Sequence, residues 1–285
     1  MTARILVTGA PGNVGTEVVK ALQAAKVPFR IGAYSVDSAR AAFGDDTEIV
    51  HFDFLKPETF RTAFEGIQRM FLVRPPALAD VQEEIAPALW AALGAGVEHI
   101  VFLSLQGVEN NRVTPHYKIE KHIQSMKIDY TFLRASFFMQ NLSTTHQDEI
   151  RQDGEIRVPV GKAKTSFIDV RDIAAVAARA LTEDGHANQA YTLTGPEALD
   201  YHQIAHKLSA VIGRPVTYTN PSLLGFLRGQ LAGGKKLGYA LVVSALYTIT
   251  RFGNAKHVTD DVQQVLEREA TTFDQFAQDY RACWT

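Results

Sequence analysis

The chain has 285 residues, 46% of them hydrophobic and 21% charged, a globular mix that excludes a disordered chain and a collagen-like or coiled-coil rod. Its 29 Lys and Arg face 31 Asp and Glu, a net charge of −2. No net basic surface is offered to a polyanion, so direct nucleic-acid binding is not expected. The single cysteine, Cys283, excludes an intrachain disulfide and fits a reducing, cytoplasmic setting. Met1-Thr2-Ala3-Arg4 does not have the layout of a signal peptide. The most apolar run, Leu237 to Thr250, is shorter than the ~20 residues that cross a bilayer, and no membrane partner is expected.

In chain order, Ile5-Leu6-Val7 is an apolar run of strand length, and Val14, Val18, Val19, Leu22 and Ala25 recur at helical spacing. Phe29 to Tyr34, Glu48 to Phe52 and Arg69 to Val73 read as the next three strands. Pro75-Pro76 stops the last of them, because proline cannot continue a ladder. Val81 to Leu93 reads as a helix ended by Gly94-Ala95-Gly96, and His99 to Leu105 as a fifth strand. Thr114-Pro115 has the form of an N-cap followed by proline at the first helical position. The helix behind it runs to about Met126, and Tyr130 to Leu133 is the sixth strand. Strands alternating with helices predict right-handed βαβ units, hence an α/β, doubly wound parallel-sheet Rossmann fold.

After about residue 135 the alternation loosens. Ser166-Phe167-Ile168 predicts a short strand, Ile173 to Leu181 an Ala-rich helix, Ala190 to Leu193 a strand and Tyr201 to Ile212 a helix. Val216-Thr217-Tyr218 reads as extended, and Gly225 to Gly234 as a glycine-rich, mobile stretch. Leu237 to Thr250 is most simply a buried helix, with a substrate lid or a dimer face as alternatives. The resulting division is a Rossmann domain over residues 1–150 and a smaller, mostly helical substrate-side lobe over 151–285. The boundary is approximate, and the two are interleaved.

The first strand leads into Thr8-Gly9-Ala10-Pro11-Gly12-Asn13-Val14-Gly15, with glycines spaced G-x-x-G-x-x-G at the opening of the first helix. Gly9 permits a tight turn, Gly12 lets backbone approach a pyrophosphate, and Gly15 lets helix and sheet close together. Free N–H groups at the helix start then face the anion, although Pro11 supplies none. Residues 9 to 14 are thus the expected phosphate cradle. A site that prefers NAD places an acid at the end of the second strand. Here that strand ends in Ala33-Tyr34-Ser35, and no acid occurs until Asp37, so Tyr34 and Ser35 leave NAD or NADP open. Asp53-Phe54 closes the third strand, where Asp53 either meets the adenine or serves as an ordinary turn acid. Arg74-Pro75-Pro76 follows the fourth strand and either lines the cofactor ribose, with Val73, Arg74 and Pro75 as the candidate contacts, or forms a rigid turn.

Several segments together resemble the NmrA-like, atypical branch of the short-chain dehydrogenase/reductases. They are TGAPGNVG at 8–15, FDFLKPETF at 52–60, VEHIVFLSLQGVE at 97–109, YTFLRASFFMQNL at 130–142 and SFIDVRDIAAVAA at 166–178. GHANQAYTLTGPEALDYHQIA at 185–205 and VTDDV at 258–262 extend the likeness to nearly the whole chain. The resemblance implies a Rossmann domain that binds NAD(P)(H), and a smaller C-terminal lobe that closes over the nicotinamide. It implies one of two activities: an NAD(P)H-dependent reductase of quinones, dyes and similar electrophiles, or a non-catalytic NAD(P)-sensing regulator acting through a protein partner. Many members carry Arg at the position of Tyr34, where it favours NADPH. NADPH is slightly favoured here on the family's account.

Ser104 ends the fifth strand, and Tyr117 and Lys121 form Y-x-x-x-K on one helix face. This layout is similar to the Ser, Tyr and Lys of catalytic short-chain dehydrogenases. Hydride delivery to a carbonyl creates an alkoxide that needs a proton. A Tyr hydroxyl gives it when a nearby ammonium lowers the phenol pKa from about 10. Lys121 also holds the cofactor ribose in this reading, and Ser104 bonds the substrate oxygen beside the cofactor. The relatives tend instead to carry His and Glu at the positions of His116 and Glu120. After the sixth strand, Phe137, Phe138 and Asn141 form an apolar wall with a polar end, suited either to a planar substrate or to core packing. Asp169 and Asp172 around Arg171 read as helix-capping and ion-pairing groups. The nine histidines show no metal spacing, and no metal is expected; His202 and His206 read as surface residues. The favoured reading is an NAD(P)H-dependent oxidoreductase of a small apolar or aromatic carbonyl, quinone or enone. The chain is expected to be a monomer or homodimer.

Overall fold

A computed structural model describes residues 4–285. Met1-Thr2-Ala3, read as lacking a leader layout, lies outside the described residues. The strands are β1 Ile5–Thr8, β2 Phe29–Ala33, β3 Ile49–His51, β4 Arg69–Leu72, β5 His99–Leu105, β6 Asp129–Ala135, β7 Glu155–Arg157, β8 Gln189–Leu193 and β9 Thr217–Thr219. The helices are α1 Asn13–Ala24, α2 Val36–Phe43, α3 Phe60–Phe64, α4 Ala86–Gly94, α5 Pro115–Ser125, α6 Val170–Thr182, α7 Tyr201–Ile212, α8 Leu223–Ala232, α9 Leu237–Arg251, α10 Asp261–Leu266 and α11 Phe273–Asp279. Two compact units share the chain. The first takes it up to Ala135, then Val170–Leu193 and Asp261–Glu267; the second takes Ser136–Asp169, Thr194–Asp260 and Arg268–Thr285.

The first unit is a Rossmann fold. Its seven strands run β3-β2-β1-β4-β5-β6-β8, and every pairing is parallel. A parallel sheet is buried on both faces, so its central strands β1, β4 and β5 are buried along nearly their whole length rather than alternating. Leu6, Met70, Leu72, Ile100, Phe102 and Phe132 fill one face beneath α3, α4 and α5. On α1, Val14, Val18, Val19 and Leu22 are buried, and α1 packs beside α6. The strand order turns back at β1 and β4, so the loops after these two strands border the crevice where such sheets bind ligands.

The second unit has its own core, in which Ile156, Val158, Phe167, Ile204, Leu208, Phe273, Phe276 and Trp284 are buried together. Trp284 donates its Nε1 proton to the Leu142 carbonyl at 2.9 Å. The strand expected at Ser166–Ile168 does not form. Its backbone is satisfied piecemeal: Ser166 N–H by the Ala255 carbonyl, Ile168 N–H by Phe137, and the Phe167 carbonyl by Gly195. A three-residue segment bonded to separate loops makes bridges, not a ladder. A two-stranded parallel sheet of β7 and β9 takes in Thr217 and Tyr218 of the predicted extended stretch at 216–218, Thr219 one residue further on, and the unpredicted 155–157. The glycine-rich stretch at 225–234 lies mostly in α8. Ser222 caps that helix by accepting the Gly225 N–H, and only its tail past Ala232 leaves it. Leu237 to Thr250 is helical, as expected, but not a buried helix. In α9 only Ala240, Tyr247 and Thr250 are buried, because a helix apolar on all sides can hide only one stripe against a single neighbouring surface.

Candidate functional site

The turn between β1 and α1 closes on itself through absent side chains. Gly9 adopts φ +76°, and a Cβ there would lie 2.7 Å from the Cβ of Val73. A Cβ on Gly12 would lie 2.6 Å from the Gly9 carbonyl oxygen, and one on Gly15 would collide with the same oxygen. The third glycine is therefore required by the turn itself, where the sequence suggested helix-to-sheet packing. Thr8 anchors the turn: its hydroxyl donates to the Phe71 carbonyl at 3.0 Å and accepts the Val73 N–H at 2.9 Å.

Gly12 is the N-cap of α1, and no side chain caps the helix. The first turn also contains no acid. The N–H groups of Asn13, Val14 and Gly15 precede the first intrahelical bond, made by Thr16 N–H to the Gly12 carbonyl at 2.9 Å. They leave an electropositive helix end over a backbone cradle, a site with the chemistry for a phosphate or pyrophosphate. Pro11, joined to Ala10 by a cis peptide bond, contributes no donor.

At the end of β2, Tyr34 is 75% exposed, and its ring stands tilted to that of His51. Ser35 caps α2 by accepting the Ser38 N–H. Arg30 is not free to read a ribose phosphate. Its guanidinium bonds Glu48 at 2.6 Å and donates to the carbonyls of Thr62, Ala63 and Glu65. Asp53 is buried and accepts the Leu55 N–H at 3.0 Å through Oδ1, a turn-acid role. Phe54 is core: it is buried edge-on to Phe52. Arg74 turns back on its own loop, donating from Nη1 to the carbonyls of Pro75, Pro76 and Leu78. Its Nε is buried without a hydrogen-bond partner, and burial pulls its pKa below the usual arginine value against the opposing pull of Glu84.

The residues expected to carry chemistry divide into two groups. Ser104, 1% exposed, donates to Glu120 Oε1 at 2.6 Å. Glu120, 2% exposed, accepts a two-pronged bond from Arg134, at 3.1 Å from Nε and 2.7 Å from Nη2. Glu109 adds a second carboxylate 3.4 Å from Arg134. Burial lowers the Arg134 pKa, but hydrogen bonding and charge from Glu120 outweigh it and leave the pKa raised. Tyr117 and Lys121 sit one turn apart on α5. The Lys121 ammonium lies 5.6 Å from the Tyr117 ring centroid and donates to Gln124 at 3.0 Å. The cation thus lies near the ring of Tyr117 while bonding another partner, and the Ser104 hydroxyl is committed to Glu120. Beside them, His116 stacks on Phe102 at 5.8 Å. Burial first, then the Arg74 charge, depresses its pKa to about 3.

Sequence reading missed the Ser104–Glu120–Arg134 network as a unit. Its signal was an acid on the same helical stripe as Ile119 and Ile123, both buried in α5. An acid there demands a buried partner.

In the second unit, Phe137 stacks on Tyr247 at 6.4 Å. Phe138 makes an isolated bridge with Ile168, and the Asn141 backbone closes a turn onto the Phe138 carbonyl at 3.1 Å. Gln140 donates to the buried Asp169 at 2.8 Å. Among the described residues, no cluster of His, Cys, Asp and Glu forms a metal site.

The comparisons with known proteins agree with this geometry. The model of the NmrA-like family matches residues 1–278. An NAD(P)H azoreductase of Xenophilus azovorans is 36% identical over 284 residues, covering 98% of this chain and 99% of that protein. The NADP(H) complex of the Citrobacter sp. triphenylmethane reductase superposes with a TM-score of 0.85 at 25% identity, covering 97% of this chain and 99% of that one. A NADPH-dependent quinone oxidoreductase from Escherichia coli superposes at 0.86 with 23% identity, covering 96% and 99%, and so shares the fold. With its glycine cradle, uncapped first helix and seven-stranded parallel sheet, the chain belongs to the NmrA-like family.

Proposed function

We propose that this chain is an NAD(P)H-dependent oxidoreductase that reduces a small apolar or aromatic carbonyl, quinone or enone. The observation that carries the reading is the cradle at Gly9, Gly12 and Gly15 beneath an uncapped helix end, in a chain related along its length to an NAD(P)H azoreductase. The residues present fit a dinucleotide: a Cβ at any of the three positions would run into Val73 or the Gly9 carbonyl, so the turn keeps glycine there, beside a helix end that no side chain caps. When bound, the dinucleotide supplies a hydride. The backbone N–H groups of Asn13 and Val14 hold its pyrophosphate, and Gly9, Ala10, Pro11 and Gly12 shape the turn around it. Tyr34 and Ser35 border the adenosine ribose, the backbone of the Asp53-Phe54 turn the adenine, and Val73, Arg74 and Pro75 the far rim. Lys121 bonds the second ribose.

Tyr117 donates its hydroxyl proton to the substrate oxygen as negative charge develops there. Lys121 lies over the Tyr117 ring, 5.6 Å from its centroid. Ser104 gives its hydroxyl hydrogen to Glu120, so in this arrangement it does not donate to the substrate oxygen, and Tyr117 is the donor. In the second unit, Phe137 and Phe138 offer apolar surface to a planar substrate, and Asn141 offers a polar end.

The test is NADPH and NADH oxidation against a panel of quinones, enones and ketones, with wild type and Tyr117→Phe. Proton donation predicts a loss of about 10²–10⁴ in kcat at unchanged dinucleotide affinity. One observation favours a second reading, dinucleotide sensing without turnover: the Ser104 hydroxyl and the Lys121 ammonium already bond Glu120 and Gln124. Tight dinucleotide binding with no oxidation by any member of the panel would establish that reading and overturn the first.

A further inference from the structure

The outward face of α8 and α9 is apolar where a water-facing helix carries charge. Leu241, Val242, Leu246 and Ile249 on α9 are all exposed. Leu224 on α8 and Phe252 just past α9 are 67% and 78% exposed. Between Leu237 and Thr250 there is no charged residue at all. A surface helix normally opposes its buried stripe with polar groups, and a contiguous exposed apolar patch marks a surface meant to be covered.

The charge around the patch indicates what covers it. From Tyr201 to Thr259 the sequence has no Asp or Glu, although the chain holds 31 acids. Arg228 lies four residues after Leu224 and three before Leu231, on the same stripe of α8. Lys235 and Lys236 form the turn between the two helices, and all three cations are exposed. A second copy meeting this face about a two-fold axis would add the same cations again, and the hairpin itself brings no acid to offset them. An anionic lipid surface instead neutralises the cations and receives the leucines at the headgroup boundary. No helix among the described residues is long and apolar enough to cross a membrane, so the hairpin would lie along the surface.

We propose that the α8–α9 hairpin is an interfacial anchor that lays its apolar face on an anionic bilayer. Adsorption of this kind needs no turnover, so it stands or falls separately from the redox reading.

The experiment is co-sedimentation of the full chain with phosphatidylcholine vesicles and with mixed phosphatidylcholine–phosphatidylglycerol vesicles. Binding is expected to the mixed vesicles and at least about tenfold more weakly to the neutral ones. Each basic residue near an anionic surface contributes about fivefold, so Lys235→Gln/Lys236→Gln should weaken binding about 25-fold. Leu241→Gln/Leu246→Gln should abolish it, and both variants should keep wild-type dinucleotide affinity, which reports an intact first unit. Absence of binding to the mixed vesicles, equal binding to both compositions, or wild-type binding by either variant overturns the proposal. A dimer lost in Leu241→Gln/Leu246→Gln without vesicle binding would assign the face to a second copy. Capture by polyglutamate without vesicle binding would assign it to an acidic protein. Either result overturns the proposal too.

Discussion

Replacing Gly12 by Ala isolates the contribution of the cradle, because Gly12 is glycine for space alone. Its backbone, at φ −135° and ψ 168°, is extended and open to any residue. The added methyl, however, would stand 2.6 Å from the Gly9 carbonyl oxygen, a backbone atom that cannot rotate away. Restoring contact distance requires the turn to open by several tenths of an ångström. Overpacking of this kind costs about 1–3 kcal/mol. The opening also moves the N–H groups of Asn13 and Val14, whose bonds to a charged phosphate are each worth about 1.5–3 kcal/mol. Loss of one such bond weakens dinucleotide affinity about 10–100-fold. The measurement is the Kd for NADPH and NADH by calorimetry, with thermal unfolding of the free protein alongside. Gly94→Ala is the control, since a Cβ there meets nothing within 4 Å and its stability should stay level or rise by up to about 1 kcal/mol. If Gly12→Ala binds within twofold of wild type, the dinucleotide does not lie against this turn and the assignment of the cradle fails.

Three further outcomes follow from the buried polar groups and the ribose-reading position. Glu120→Gln leaves Arg134 charged and poorly paired, so unfolding stability should fall by about 3 kcal/mol, whereas Glu120→Leu/Arg134→Met should recover much of it. A loss below about 0.5 kcal/mol in urea unfolding of Glu120→Gln would show that the pair is not holding a buried charge. With Arg30 tied to Glu48 and three carbonyls, affinities for NADPH and NADH should lie within about tenfold, and Tyr34→Arg should shift the ratio about tenfold toward NADPH. A wild-type preference for either one above a hundredfold would contradict this. His116 has a folded-state pKa near 3, below its unfolded value, so its neutral form stabilises the fold above about pH 6.5. That stability drains as pH falls from about 6.5 toward 3, by up to about 1.4 kcal/mol per pH unit. His116→Phe should flatten the acid limb of a stability–pH curve, and an unchanged slope would rule the group out.

What the sequence revealed and what it hid follow one division, between patterns carried by neighbours along the chain and pairings between distant segments. The Rossmann unit was legible because its central strands are apolar runs and its glycines stand at fixed offsets from β1, so each signal lies within a few residues. Arg30 illustrates the opposite case. On the sequence it is a cation inside a strand close to the ribose-reading position. Its true partners lie at Glu48, Thr62, Ala63 and Glu65, and only folding brings these to it. Ser104 followed the same course: its spacing to Tyr117 suggested a catalytic set, while its hydroxyl is taken by Glu120, 16 residues away. Helix α9 was hidden differently. Its composition fits a buried helix equally well, and burial depends on how many surfaces the fold brings against it. Here one stripe is covered, at Ala240, Tyr247 and Thr250. The same apolar sequence that predicted a core element therefore faces outward, and its lack of charge becomes a statement about what it meets rather than where it packs.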